Sequence, residues 1–388
     1  LDLTRGKPSS EQLNLSNELD GILKGQYILQ DGTDVRNYGG LLGIPEARAL
    51  GASILETNAD EILVGGNASL TLMHQYLAFM RPIWKQECPE GVKFICPVPG
   101  YDRHFTLCEH FNIKMIPVSF NGQDPDLDQI ERLVQQDPSI KGIWCVPKYS
   151  NPTGKTYSEA AVKRISMLPK ISGDNFRIMW DNAYAVHHLS DAPDQLANLM
   201  ALARHHDTND SMVLFGSTSK VTFAGAGISF LGTSREKLGE FEQHLSETMI
   251  GFDKVNQLRH VLFLKDMSGI ARHMARHAAL LKPRFALTEK ILSKYLAGKR
   301  IGEWSRPNGG YFVSFDAIPG QAKEIITLAA NVGVRLTPAG ATFPYGIDPQ
   351  DRNIRLAPTF PALDSLQQAL EVFVVCVQLA SVRHYLKS

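Results

Sequence analysis

A lysine stands in a run of small residues, Gly216-Ser217-Thr218-Ser219-Lys220, with Gly225 and Gly227 close behind. Lysine is long, strongly hydrated and ordinarily found at a surface. Small neighbours leave room beside it for another molecule. Three further runs precede it with groups that can do chemistry. "PGYDRH" (99–104) carries Tyr101, "NPTG" (151–154) carries Asn151, and "DNAY" (181–184) carries Asp181 and Tyr184. Each follows a short apolar run that reads as a strand. In open α/β sheets, ligands collect at the carboxyl ends of the strands. One edge of one sheet would then gather an amine, a carboxylate, two phenols, an amide and several hydroxyls.

That set suits one kind of cofactor. A lysine amine attacks carbonyl carbon, and burial tunes its pKa for the task. Pyridoxal 5'-phosphate is the aldehyde cofactor that uses such a lysine. Its ring nitrogen stays protonated beside a carboxylate. Its 3-oxygen accepts hydrogen bonds from a phenol and an amide, and its ring face needs an aromatic partner. Its phosphate fits the backbone N–H groups of a helix N-terminus, helped by hydroxyls.

The elements that must position these groups are legible. Near-continuous apolar runs occur at 92–98, 113–118, 142–147, 176–181, 212–216 and 228–232. Strands buried on both faces read this way. Helix-compatible stretches at 67–80, 126–136 and 158–169 lie between them, so the pattern predicts a mostly parallel sheet with helices on both faces. After residue 250 the pattern changes to long helices punctuated by Gly269 and Pro283. A turn and strand follow at 308–316, then a helix over 321–332, a short strand near "GVRLTPAG" and a final helix over 363–386. This predicts a second, α+β domain, against which the opening "LDLTRGKP" packs.

Composition narrows the function classes. The chain has 388 residues, with 40 Lys plus Arg against 40 Asp plus Glu. That balance leaves no electrostatic footprint for nucleic acid or an anionic membrane. The five cysteines form no C-x-x-C pair, which favours a reducing, cytoplasmic setting over a disulfide framework or zinc site. The apolar run "VFVVCV" (372–377) is too short to span a bilayer. No metal is expected: "HMARH" (273–277) has no third ligand and reads as the polar side of a long helix.

Taken singly, each motif has an ordinary reading. "NPTG" is a competent turn, "DNAY" a strand end and helix cap, and Lys220 or Arg355 a surface charge. Their joint occurrence in this order is specific. The opening "RGKP", "YGGLLGIPEAR" (38–48), "GGNAS" (65–69), "PGYDRH", "NPTG", "DNAY", "STSK", "GGYF" and "IRLAP" (354–358) run over nearly the whole chain. So ordered, the sequence resembles a fold-type I, pyridoxal-phosphate-dependent aminotransferase of the aspartate aminotransferase superfamily, in a divergent aspartate aminotransferase branch.

The resemblance implies a large cofactor domain over 36–275 with a mostly parallel seven-stranded sheet. It implies a smaller α+β domain from 1–35 and 276–388. It makes Lys220 the covalent cofactor lysine and proton shuttle, and Asp181 the partner of the pyridinium nitrogen. Tyr184 and Asn151 would hold the 3-oxygen, and Tyr101 would stack on the ring. Ala68, Ser69, Ser217 and Ser219 would hold the phosphate, joined by Tyr38 from the neighbouring subunit of a homodimer. Arg355 would bind the substrate α-carboxylate, beside Asn151, with Gly6 closing over it. There is one departure: Ile228 stands where the family usually has a phosphate-binding Arg.

The implied reaction moves an amino group between an amino acid, aspartate or glutamate, and a 2-oxo acid by a ping-pong scheme. An acidic substrate needs a second cation, for which Arg103, Lys254 and Arg259 are the candidates. The competing readings are a lyase on the same fold and the effector-binding domain of a transcription regulator.

Overall fold

The computed structural model describes residues 1–387. Eleven strands form two sheets among these residues. The first eight are β1 (Ile62–Gly65), β2 (Lys93–Val98), β3 (Lys114–Asn121), β4 (Asp124–Pro125), β5 (Ile140–Cys145), β6 (Arg177–Asp181), β7 (Met212–Ser217) and β8 (Ser229–Gly232). They make one sheet in the order β1-β8-β7-β6-β5-β2-β3-β4. Strands β3, β2, β5, β6 and β7 run parallel. β8 is antiparallel to both its neighbours, so β1 points the same way as the parallel set. The expected seven strands are joined by one more, the two-residue β4, which folds back on β3 at the edge.

The continuous apolar runs have a simple cause. Alternate residues of a strand face opposite sides of a sheet. Ile178 and Trp180 of β6 enter one core, and Met179 enters the other. Helices cover both sides, so polar alternation would bury unpaired groups.

The second sheet joins β9 (Gly302–Trp304), β10 (Val313–Ala317) and β11 (Asn353–Leu356) in the order β11-β10-β9. It has its own core, in which Phe315, Leu356 and Phe373 are fully buried. The N-terminal segment packs here: Leu3 N–H donates to the Arg335 carbonyl, and Leu3 is buried in this core. Leu23, Leu29 and Val35 pack instead into the core of the large sheet. The "GVRLTPAG" run forms no regular strand; Arg335 makes only a bridge to Asp2. β11 lies later and overlaps "IRLAP".

Helix Met267–Leu296 runs unbroken through Pro283. Proline there costs the Ala279 carbonyl its i+4 N–H donor without ending the helix. Gly269 does mark a boundary. A Cβ there would lie 1.9 Å from the Leu264 carbonyl oxygen, where the chain turns between two helices. The final helix, Leu363–Lys387, is long and apolar enough by composition to cross a membrane. One face of it is core: Leu366, Leu370, Phe373 and Val377 are buried against the small sheet.

Candidate active site

Because β1, β2, β5, β6 and β7 point one way, their carboxyl ends share one edge of the sheet. Asp181 closes β6, Ser217 closes β7, and Asn67 follows β1. Tyr101 follows β2, Asn151 follows β5, and Lys220 lies on the loop from β7 to β8. The fold thus brings together most of the residues singled out from the sequence.

Lys220 Nζ sits 5.1 Å over the Tyr184 ring. Burial lowers the lysine pKa, and the Asp181 charge works against that shift. A larger share of neutral amine is the consequence, which a nucleophile requires. Asp181 is 3% exposed. Its Oδ2 lies 2.9 Å from His104 Nε2, while its Oδ1 is buried with no protein partner. His104 in turn stacks on Trp144 with ring centroids 4.1 Å apart, and the Tyr101 ring meets it edge-on. The hydroxyls of Tyr101 and Tyr184 are pushed above the usual phenol range, by burial first. Both stay protonated donors.

Arg355, on β11, reaches from the small sheet into this edge. It is 6% exposed. Its Nη1 donates to Asp102 Oδ1 at 2.8 Å and to Asn151 Oδ1 at 3.3 Å, and its guanidinium lies 4.9 Å over Phe312. Phe312 also fixes Gly6: a Cβ at that position would stand 2.5 Å from the Phe312 ring, so only glycine passes.

Around these groups lies a cavity of about 490 Å³. Its wall carries Arg5, Lys7, Arg103 and Arg355 as cations beside the Lys220 amine, and Asp102 is its one carboxylate. Asp102 is already paired with Arg355. Among the described residues, no carboxylate forms an ion pair with Arg5, Lys7 or Arg103.

A second pole lies at the start of helix Ser69–Glu87. Ala68 is its N-cap and supplies no side-chain acceptor, so first-turn N–H groups lack a side-chain cap. The Ser219 hydroxyl donates to the Asn67 carbonyl at 2.7 Å, and Ser217 Oγ accepts the Ser219 N–H. Ser69, Ser217 and Ser219 therefore sit around one helix N-terminus. Ile228 is 1% exposed in the large core, with its backbone paired to Thr218. Ile228 offers no cation here, so the groups that could hold an anion at this end are the hydroxyls and helix N–H groups.

Some residues named from the sequence are not at this site within one chain. Tyr38 is 84% exposed. Arg259 is exposed on helix Lys254–Leu264 and does not line the cavity. Lys254 is buried, with Nζ bound to the carbonyls of Tyr38 and Gly39, so its charge fixes a loop.

"HMARH" is not a polar helix face. His273 and His277 are buried, because the N-terminal helix and the Lys220 loop cover them with polar partners. Sequence reading also passed over His104, Asp102, Arg5 and Lys7. A signal existed for His104: three residues after Tyr101, it lies on the same face of helix Asp102–His110.

Comparisons with known proteins give the family and the fold. A family model described as aspartate amino-transferase matches residues 1–388. An aspartate aminotransferase of Corynebacterium glutamicum is 43% identical over 395 residues, covering 99% of this chain and 90% of that protein. The crystal structure of an aspartate transaminase from C. glutamicum has a TM-score of 0.96 at 42% identity, covering 99% of this chain and 92% of that one. At 19% identity, an α-aminoadipate aminotransferase from Thermus thermophilus, complexed with N-(5'-phosphopyridoxyl)-L-leucine, shares the fold with a TM-score of 0.80 over 98% of this chain and 93% of its own.

Proposed function

We propose, for a chain that belongs to the aspartate amino-transferase family, a reaction between dicarboxylic partners: aspartate or glutamate as donor and the matching 2-oxo acid as acceptor. One observation carries the substrate class. The cavity holds Arg5, Lys7, Arg103 and Arg355 against a single carboxylate, Asp102. One substrate carboxylate on Arg355 leaves Arg5 and Arg103 to receive the other. Guanidinium forks suit carboxylates because two parallel N–H groups match two oxygens.

Pyridoxal 5'-phosphate fits the remaining groups. Asp181 Oδ1 is a buried carboxylate oxygen without a protein partner, which a protonated ring nitrogen would satisfy. Tyr184 and Asn151 would hold the 3-oxygen, Tyr101 the ring face, and Ser69, Ser217, Ser219 and the helix N–H groups the phosphate. When bound, the cofactor supplies an aldehyde to take up the amino group and a ring that accepts electron density. Lys220 Nζ, its pKa lowered by burial, takes the proton from the substrate Cα and returns it. Asp181, held by His104, keeps the ring nitrogen charged. Tyr38, exposed on its own chain, would complete the phosphate site of a second copy in a homodimer.

Replacing Arg103 and Arg5 by Leu tests the substrate class. A charge-assisted hydrogen bond is worth ~1.5–3 kcal/mol, so kcat/KM for aspartate should fall at least tenfold. Alanine, with one carboxylate, should lose less than threefold. Equal losses for both substrates would refute the assignment.

A further inference from the structure

Beneath Lys220 lies a buried polar network that the chemistry above does not use. It starts at Gln12, which is fully buried. Gln12 is the N3 residue of a capping box on helix Ser10–Asn14: its Oε1 accepts the Ser9 N–H at 3.1 Å. An N–H can only donate, so that contact identifies the amide oxygen. Gln12 Nε2 then donates twice, to the Tyr311 hydroxyl at 2.9 Å and to His277 Nδ1 at 3.1 Å.

The remaining protons follow by elimination. His277 Nδ1 accepts, so neutral His277 carries its proton on Nε2. His273 Nε2 lies 2.7 Å from the Val221 carbonyl, which can only accept, so this nitrogen is also protonated. The two Nε2 atoms are 3.1 Å apart. The His273 N–H therefore donates to Val221 O, with His277 Nε2 against that same nitrogen and Ser16 Oγ 3.4 Å from it. The other branch ends one residue earlier: the Tyr311 hydroxyl donates to the Lys220 carbonyl at 3.4 Å. Tyr311, His273 and His277 are all buried. Burial holds both histidines below their usual range, which keeps them in the neutral forms this arrangement needs.

Both branches grip consecutive carbonyls at the reactive lysine, and both meet at one side chain. That side chain belongs to the segment carrying Arg5, Gly6 and Lys7, which line the substrate cavity. We propose that Gln12 is a positioning residue that ties this N-terminal segment to the Lys220 loop, so that the substrate-facing cations and the amine share one register. The proposal rests on the aminotransferase reading of the site, but its test does not depend on turnover.

In the cofactor-loaded protein, Gln12→Leu removes both donors and leaves their partners unpaired. Trypsin should then cut Arg5–Gly6 at least tenfold faster, while cleavage elsewhere is unchanged. The Kd for succinate, an unreactive dicarboxylate, should rise at least fivefold by calorimetry. Adding Arg5→Leu to Gln12→Leu should weaken succinate binding less than twofold further, although Arg5→Leu alone weakens it severalfold. If Gln12→Leu does not fold, Gln12→Glu carries the same test, since it keeps an acceptor for Ser9 but cannot donate to His277. Cleavage and succinate binding within twofold of the parent would overturn the proposal. So would effects of the Gln12 and Arg5 variants that simply multiply. Loss of aminotransfer alone, with these readouts as expected, would count against the reaction and not against this role.

Discussion

His104 Nε2 stands 2.9 Å from Asp181 Oδ2, with the two side chains only 2% and 4% exposed. The contact divides the carboxylate into two working ends. Oδ2 is fixed by an imidazole clamped flat against Trp144, and Oδ1 is buried without a protein partner. Burying a polar group costs heavily unless it is hydrogen-bonded, so the His104 contact offsets part of the cost of burying Asp181 there.

Removing that support should cost activity through the cofactor. His104→Ala leaves Asp181 with neither oxygen bonded to protein. A lost hydrogen bond to a charged group costs ~1.5–3 kcal/mol, which corresponds to a fall of roughly 10- to 100-fold in kcat/KM. Pyridoxal phosphate should also bind more weakly, as followed by absorbance during equilibrium dialysis. Unchanged affinity and activity would show that His104 serves packing alone.

Two copies should share their sites. A Tyr38→Ala chain keeps Lys220, and a Lys220→Ala chain keeps Tyr38. If Tyr38 acts across a two-fold interface, a mixed dimer has one complete site. After equal mixing and full exchange, half the dimers are mixed, so about one quarter of the wild-type sites return. Borohydride should fix the cofactor label on Lys220 of the Tyr38 variant chain only. Demonstrated subunit exchange without recovered activity would contradict the shared site.

Stability should fall on mild acidification. His277 is 1% exposed and its pKa drops from 6.5 to about 4, through burial first and then the neighbouring His273. The sign follows from proton counts: below pH 6.5 the unfolded chain binds a proton that the folded chain refuses. The stabilising contribution is therefore complete above pH 6.5 and is lost as pH falls toward 4, up to ~3 kcal/mol. His187 and His273 shift in the same direction, and Lys220 and Arg276 add repulsion nearby. Urea unfolding of His277→Gln should show a shallower slope between pH 6.5 and 5, by up to ~1.4 kcal/mol per pH unit. An unaltered slope would mean His277 is already charged in the folded protein.

Much of the site is legible in the sequence because strands advertise their ends. Asn151, Asp181 and Lys220 each follow a buried apolar run, and parallel order alone places them together. What sequence reading misses depends on distance along the chain. Gln12 meets His277 across 265 positions and Tyr311 across 299, and no local pattern encodes either contact. "HMARH" has the polarity of an exposed helix face; only the covering Gln12 and Val221 groups make burial affordable. Pro283 looks like a break because local rules count its missing donor and not the long helix packed around it. Arg5 and Lys7 escape notice because a terminal segment gains meaning only when its bridge to Arg335 folds it over the cavity.

Amino transfer between dicarboxylic partners is open to one direct assay. Purified protein is loaded with pyridoxal phosphate and given L-aspartate with 2-oxoglutarate, and all products are quantified over time. Oxaloacetate and glutamate should form in one-to-one yield, with initial velocities that give parallel double-reciprocal lines as each substrate is varied. The kcat/KM for aspartate should be at least tenfold higher than for alanine, because only aspartate fills both cationic ends of the cavity. Release of ammonia with no glutamate, or alanine reacting as well as aspartate, would contradict it.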